Sequence, residues 1–406
     1  LKSATMPDFL GSRYNSSALK ITASVISFIF LVPYTASVYN GLSRLFGMAF
    51  NIPYWVCVLA MAALTGVYVI VGGYMATAIN DFIQGIIMLI GIVVVISAVL
   101  NEQGGFINAI MRLSEFESDI PLTLGQKGAF TSFFGPDPMN LLGVVILTSL
   151  GTWGLPQMVH KFYAIKNERS IKIGTLISTV FAFIIAGGCY FLGGFGRLYD
   201  NPSLYSEQGK VFYDAIVPYM LHSLSDVIIG FIVILVLSAS MSTLSSLVLT
   251  SSSTLTLDFI KSFIYKNMSE KKQIKIMRLF LVFFILLSVV LALKPPAFIA
   301  QLMGISWGAL AGAFLAPFLY GLYWKRVTKA AVWACFATGV GITTTNLVFK
   351  YISSPINAGA LAMVAGLVVV PVVSLLTPRM SKEKVDSIFA CYEETVTVRK
   401  KKSIQE

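Results

Sequence analysis

The stretch Ala239-Ser240-Met241-Ser242-Thr243-Leu244-Ser245-Ser246 gathers hydroxyl groups inside an apolar segment long enough to cross a membrane. From Ser238 to Thr256, 12 of 19 residues are Ser or Thr. At about 100° per residue, Ala239, Ser242, Thr243 and Ser246 share one helical face, and Ser242, Ser245 and Ser246 form a second, overlapping set. Neutral oxygens at membrane depth, with no Lys or Arg beside them, are the ligands a small hard cation such as sodium needs once it sheds its water. The competing use is structural, because Ser and Thr in membrane helices also bond to their own backbone or to a neighbouring helix.

Two further places carry chemistry. Gly151-Thr152-Trp153-Gly154-Leu155-Pro156-Gln157 sets two glycines and a proline in the middle of a hydrophobic span. Such an interruption frees backbone groups to face a ligand, with Thr148, Thr152, Trp153 and Gln157 close by; a proline kink satisfied by its neighbours is the plainer reading. The other place is Asp81, an acid at the start of a membrane helix after Gly72-Gly73 and a short connection from Tyr74 to Asn80. It can face the bundle, or serve only the helix dipole and cap.

The elements that must position these residues are membrane helices. With 56% hydrophobic and 12% charged residues, the 406-residue chain is too apolar for an ordinary soluble domain. Ten apolar segments of membrane-crossing length recur, at 19–46, 54–74, 78–100, 139–164, 170–198, 226–262, 275–293, 297–323, 328–350 and 357–377. They run continuously rather than alternating, which favours helices over a transmembrane barrel. The expectation is an all-α polytopic membrane protein forming one domain: a cytosolic loop at 1–18, ten transmembrane helices over 19–377 and a cytosolic tail at 378–406.

The net charge of +11 follows from orientation rather than from a nucleic-acid partner. With the first segment in the cytosol and the helices alternating, 23 of the 30 Lys and Arg fall on the inner side, including Arg399-Lys400-Lys401-Lys402 in the tail. That tail can also meet anionic membrane lipids. Cys57, Cys189, Cys335 and Cys391 lie far apart and read as packing residues. His160 and His222 have no companion at metal-ligand spacing, and no nucleophile triad or phosphate-binding loop occurs, so no enzyme and no organic cofactor is expected.

The chain opens at Leu1 in a polar stretch, Leu1 to Ser17, that reads as a loop between two membrane helices. The longest connection, 101–138, is expected to hold a short amphipathic helix near Phe106 to Leu113 and to act as a lid or a plain linker. Pro295-Pro296 punctuates a helix junction, and Tyr320, Tyr323 and Trp324 with Lys325-Arg326 read as an interfacial anchor.

Taken together, these blocks resemble the sodium/solute symporters, the family of proline- and pantothenate-type carriers. Pro7-Asp8-Phe9-Leu10 with Arg13-Tyr14, Gly72-Gly73 with Asp81-Phe82-Ile83-Gln84-Gly85, Trp153 to Gln157, Ala239 to Ser246, and Gly321-Leu322-Tyr323-Trp324-Lys325-Arg326 are similar to five family blocks, in the same order. The resemblance implies an inverted five-helix-repeat transporter fold with peripheral C-terminal helices and alternating access to a central site. It also implies that the first three of the family's roughly thirteen helices are absent from this sequence.

Carried over by position, the family's common sodium site falls on the Ala239 carbonyl and the Ser242 and Thr243 hydroxyls. A second sodium site, present in some members, falls on Ser242, Ser245, Ser246 and Asp81. The substrate positions fall on Tyr34, Thr148, Thr152, Trp153, Pro156 and Gln157. Proline carriers place Trp and Tyr where this chain has Thr148 and Thr152, while Trp153 stands where sugar carriers also have Trp. The resemblance thus implies sodium-coupled import of a small organic solute, an amino acid or carboxylate such as proline or pantothenate, with sodium as coupling ion. A proton-coupled carrier of the same fold using Asp81, and an inactive N-terminally truncated fragment, are the alternatives.

Overall fold

The computed structural model describes residues 3–162, 165, 167–199, 201–205 and 211–392, covering only the backbone at 71–77, 160, 162, 203 and 391. Leu1, the Arg399-Lys400-Lys401-Lys402 tail and the side chains of His160 and Cys391 therefore lie outside the described residues. The described chain is built from helices: α1 (Met6–Arg13), α2 (Ser17–Phe50), α3 (Tyr54–Glu102), α4 (Phe106–Glu115), α5 (Pro138–Gly154), α6 (Pro156–Phe162), α7 (Glu168–Gly194), α8 (Tyr213–His222), α9 (Asp226–Thr254), α10 (Glu270–Leu293), α11 (Ile299–Tyr323), α12 (Lys329–Phe349), α13 (Pro355–Leu376) and α14 (Lys382–Phe389). Among the described residues, eight stretches are long and apolar enough to cross a membrane, and two more, Tyr54–Ile70 and Pro138–Gly154, are shorter apolar helices. These ten coincide in order with the ten segments expected.

The details differ in four places. The stretch 139–164 is two helices, because Pro156 has no N–H to give and Leu155 is extended (φ −86°, ψ 122°). Residues 6–13, expected as loop, form a helix that starts on Thr5, whose hydroxyl accepts the Asp8 N–H. The tail carries the short helix α14. The connection expected at Tyr74 to Asn80 has a helical backbone rather than that of an open loop, within the stretch Tyr54–Glu102.

That stretch nevertheless doubles back. Thr65 Oγ1 lies 3.8 Å from the Met241 sulfur, and Gly91 packs on Leu235, six residues along α9 from Met241. A straight helix would place Thr65 and Gly91 about 39 Å apart along its axis. Asn80 also donates to the Tyr68 hydroxyl at 2.9 Å across twelve residues, beyond side-chain reach on a straight rod. Two arms, one ending near Tyr68 and one starting near Asn80, therefore lie side by side, as the two-segment reading requires.

The centre of the molecule is α11, every residue of which from Gly304 to Phe318 is buried. Its small residues let backbones touch: a Cβ on Gly308 would sit 2.5 Å from the Gly359 Cα of α13, and one on Gly339 of α12 would sit 2.3 Å from the Gly312 carbonyl carbon. Close glycine contact is how apolar helices pack where water supplies no driving force. On one side α11 meets α5, α12 and α13; on the other, α2 leads to α3, α9 and α10. The candidate site lies where these groups meet.

Two faces can be named by their residues. Arg13, buried completely, donates to the carbonyls of Gly321 at 2.8 Å and Trp324 at 3.1 Å, the end of α11. At the opposite face Asp214 of α8 accepts the Ile299 N–H at 3.0 Å, the start of α11, and the Asn40 amide of α2 at 3.1 Å. The connection 101–138 holds α4, which buries Ala109 and Leu113.

Candidate functional site

The broken helix α5–α6 and the hydroxyl-bearing helix α9 form the two walls. Gly154, the last residue before the break, is a glycine because a Cβ there would come within 2.7 Å of Ala311 on α11. Beyond the break, Leu155 and Val159 join the same buried cluster as Leu244, Leu247 and Val248 of α9. Pro156 is buried at the first position of α6, where its fixed φ suits a helix start.

Gln157 is 3% exposed, and neither its amide oxygen nor its amide nitrogen has a hydrogen-bond partner. A buried amide left bare on both ends costs free energy that a bound ligand would return. Thr148 and Thr152 share one face of α5; each hydroxyl bonds back along the chain, to Val144 at 2.8 Å and Ser149 at 3.2 Å. Trp153 is 55% exposed and lies about 200° around the helix from buried Gly151, so it belongs to a different face.

Tyr34 reaches this wall through a residue the sequence reading missed. Its ring meets that of Trp307 edge to face at 5.6 Å, and a Cβ on Gly151 would lie 3.2 Å from the Trp307 ring. The buried Trp307 indole N–H, close to the Tyr34 phenol, completes no hydrogen bond. A single Trp among the small residues Gly304 to Gly312 was the available signal.

On α9 the hydroxyls are folded onto their own helix. Thr243 Oγ1 donates to the Ala239 carbonyl at 3.0 Å, and Ser245 and Ser246 donate to the Ser242 carbonyl at 3.0 and 3.1 Å. Each hydroxyl spends its one proton and keeps its lone pairs, so a cation can still be coordinated. The Ala239 oxygen also receives the helical N–H of Thr243, so a cation there must displace the Thr243 hydroxyl from donor to ligand. Asp81 faces another partner: its Oδ2 lies 3.3 Å from Lys161 of α6, a residue not anticipated, while its Oδ1 is buried without a partner. The Gln84 side-chain oxygen, three residues on, is likewise buried and unpartnered.

A broken helix beside a hydroxyl-rich helix in a ten-segment membrane chain has counterparts among known proteins. The model of the sodium:solute symporter family matches residues 1–339. The chain belongs to this family. Among its relatives are the osmoregulated proline transporter OpuE of Bacillus subtilis (strain 168), 28% identical over 386 residues, covering 93% of this chain and 75% of the relative. The sodium/proline symporter of Staphylococcus aureus is 27% identical over 397 residues, covering 93% and 73%. The fold matches that of a Na+-coupled sialic acid symporter in a substrate-bound outward-open state, with a TM-score of 0.66 and 17% identity over 94% of this chain and 79% of that one. This symporter-family chain is accordingly a multi-pass membrane transporter of the inverted-repeat type, not an enzyme, with Na+ as coupling ion rather than cofactor.

Proposed function

We propose that the chain imports a small organic solute, an amino acid or carboxylate, by sodium-coupled alternating access across a cell membrane, with the Arg13 face in the cytosol. The observation that carries this reading is the bare Gln157 amide in a broken helix that packs directly on the hydroxyl-bearing α9. A cation on α9 and a solute against α5–α6 would share a wall, so each can favour the conformation that the other binds.

Sodium is assigned to the Ala239 carbonyl with the Ser242 and Thr243 hydroxyls, and a second ion to Ser242, Ser245 and Ser246 toward Asp81. At that second place an arriving ion competes with Lys161 for the carboxylate. The solute is assigned to Tyr34, Thr148, Thr152, Trp153, Pro156 and Gln157, of which Trp153 stands on another face of α5. The proline-transporting relatives make proline the first solute to try. Thr148 and Thr152 in place of larger aromatics leave room for a bulkier one.

The test is uptake of labelled amino acids, short carboxylates and pantothenate under inward sodium, potassium or proton gradients. Sodium-driven accumulation of one solute is expected, and Ser242→Ala is expected to weaken its sodium dependence roughly tenfold or more with expression intact. Accumulation that follows pH and ignores sodium would move the coupling role to Asp81 and protons.

A further inference from the structure

The inner halves of α2 and α9 meet along a seam that is polar where the membrane interior offers no water. At its end Lys20 Nζ lies 2.7 Å from Asp8 and 3.3 Å from Asp258, and Thr5 donates its hydroxyl to Asp258 at 2.6 Å. Asp258 is 2% exposed and sits in the π-helical stretch Leu255–Ile264 that continues α9. Two carboxylates against one ammonium leave an excess negative charge.

The ion pair sets the register of these two helices, which run in opposite directions. Counting away from it, and allowing for the shorter rise of the π-helical turn at Asp258, Ser24 and Ser27 of α2 come level with Thr254 and Ser251 of α9 to within about 2 Å, and each pair spans about 60° of its own helix. All four residues are at most 1% exposed. Ser24 bonds back to the Lys20 carbonyl at 2.8 Å, as Ser252 does to Val248. The hydroxyls of Ser27, Ser251 and Thr254 have no partner at all. Three bare oxygens leading to a negatively charged cluster are the donor set of a hard monovalent cation.

We propose that this seam is a further sodium station, liganded by the bare Ser27, Ser251 and Thr254 hydroxyls, with the Asp258 carboxylate one turn further inward supplying charge rather than a ligand. It lies about 14 Å along α9 from Ser242 and is separate from the hydroxyl sets at 239–246. An ion leaving those sets meets the seam before it reaches the cytosol, and Lys20 holds the carboxylate when no ion is there. The inference rests on the sodium-coupled reading above.

The experiment measures release of radiolabelled sodium and uptake of solute in liposomes containing the full transporter, as wild type, as Ser251→Ala with Thr254→Val, and as Ser242→Ala. The seam variant keeps the whole Thr5–Asp8–Lys20–Asp258 cluster, so its fold is expected to survive. It is expected to slow sodium release about tenfold while the external sodium needed for half-maximal uptake stays within about twofold. Release at the wild-type rate, alongside an impaired Ser242→Ala, overturns this inference and leaves the symport reading standing. Unimpaired sodium dependence in Ser242→Ala overturns both.

Discussion

Lys161 of α6 lies 3.3 Å from Asp81 of α3, so one ion pair ties the second half of the broken helix to the arm that begins near Asn80. Only one oxygen of the carboxylate is used; the other is buried and bare. Such an acid is held in place yet still has an oxygen to offer a cation.

Removing the lysine therefore removes a competitor. Lys161→Met is expected to raise the apparent sodium affinity of uptake about threefold, within the range that half-exposed pairs contribute. An unchanged sodium curve would mean that the pair serves only to join two helices.

The bare amide of Gln157 makes a prediction of opposite signs for stability and function. Gln157→Leu keeps the volume and removes two unsatisfied groups, so the purified protein is expected to melt about 2–4 °C higher. Solute affinity is expected to fall about tenfold if the amide binds the solute. A variant that melts higher and binds equally well would show that the amide is idle.

Arg13 is fully buried, with no acid among its described partners. Burial pulls its pKa down, and it is held by the Gly321 and Trp324 carbonyls and by the Phe389 ring 5.0 Å away. A cation at the C-terminal end of α11 also meets the negative end of its dipole. Arg13→Lys cannot span both carbonyls and is expected to cost about 2–4 kcal/mol, read as a lower melting temperature. Melting at the wild-type temperature would reduce Arg13 to a replaceable charge.

Asp214 supplies a pH dependence. Burial raises its pKa, opposed by the Ile299 N–H, Arg44 and the Asn40 amide. A carboxyl whose folded pKa exceeds its unfolded one binds more protons when folded, so its contribution to stability is full below the ordinary carboxylate range and is lost as pH rises through the raised value. Melting followed from the ordinary carboxylate range upward is expected to show this decline in wild type and not in Asp214→Asn. Parallel pH profiles for the two proteins would assign the decline to other groups.

Several features were legible in the residues because their causes are local. The break at Gly154-Leu155-Pro156 follows from a proline without an N–H, and the helix Phe106–Glu115 from its apolar spacing. The turn back within α3 was readable as two apolar runs, although the backbone between them stays helical. Trp307 and Lys161 were not legible, since each acts through a partner more than seventy residues away: Tyr34 and Asp81.

By itself the amino-acid sequence determined that this is a membrane chain of ten apolar segments, that one of them is broken and that one is lined with hydroxyls. Hydropathy, proline chemistry and helical periodicity act within a segment and need no fold to express them. Only the tertiary structure decided that Trp307 bridges Tyr34 to Gly151, that Lys161 meets Asp81, and that Lys20 and Thr5 close on Asp258. Those pairings depend on how far each helix slides and turns against its neighbour, which packing between helices distant in the chain decides; around Trp307 it is the glycines of α5, α11, α12 and α13 that let the helices close up.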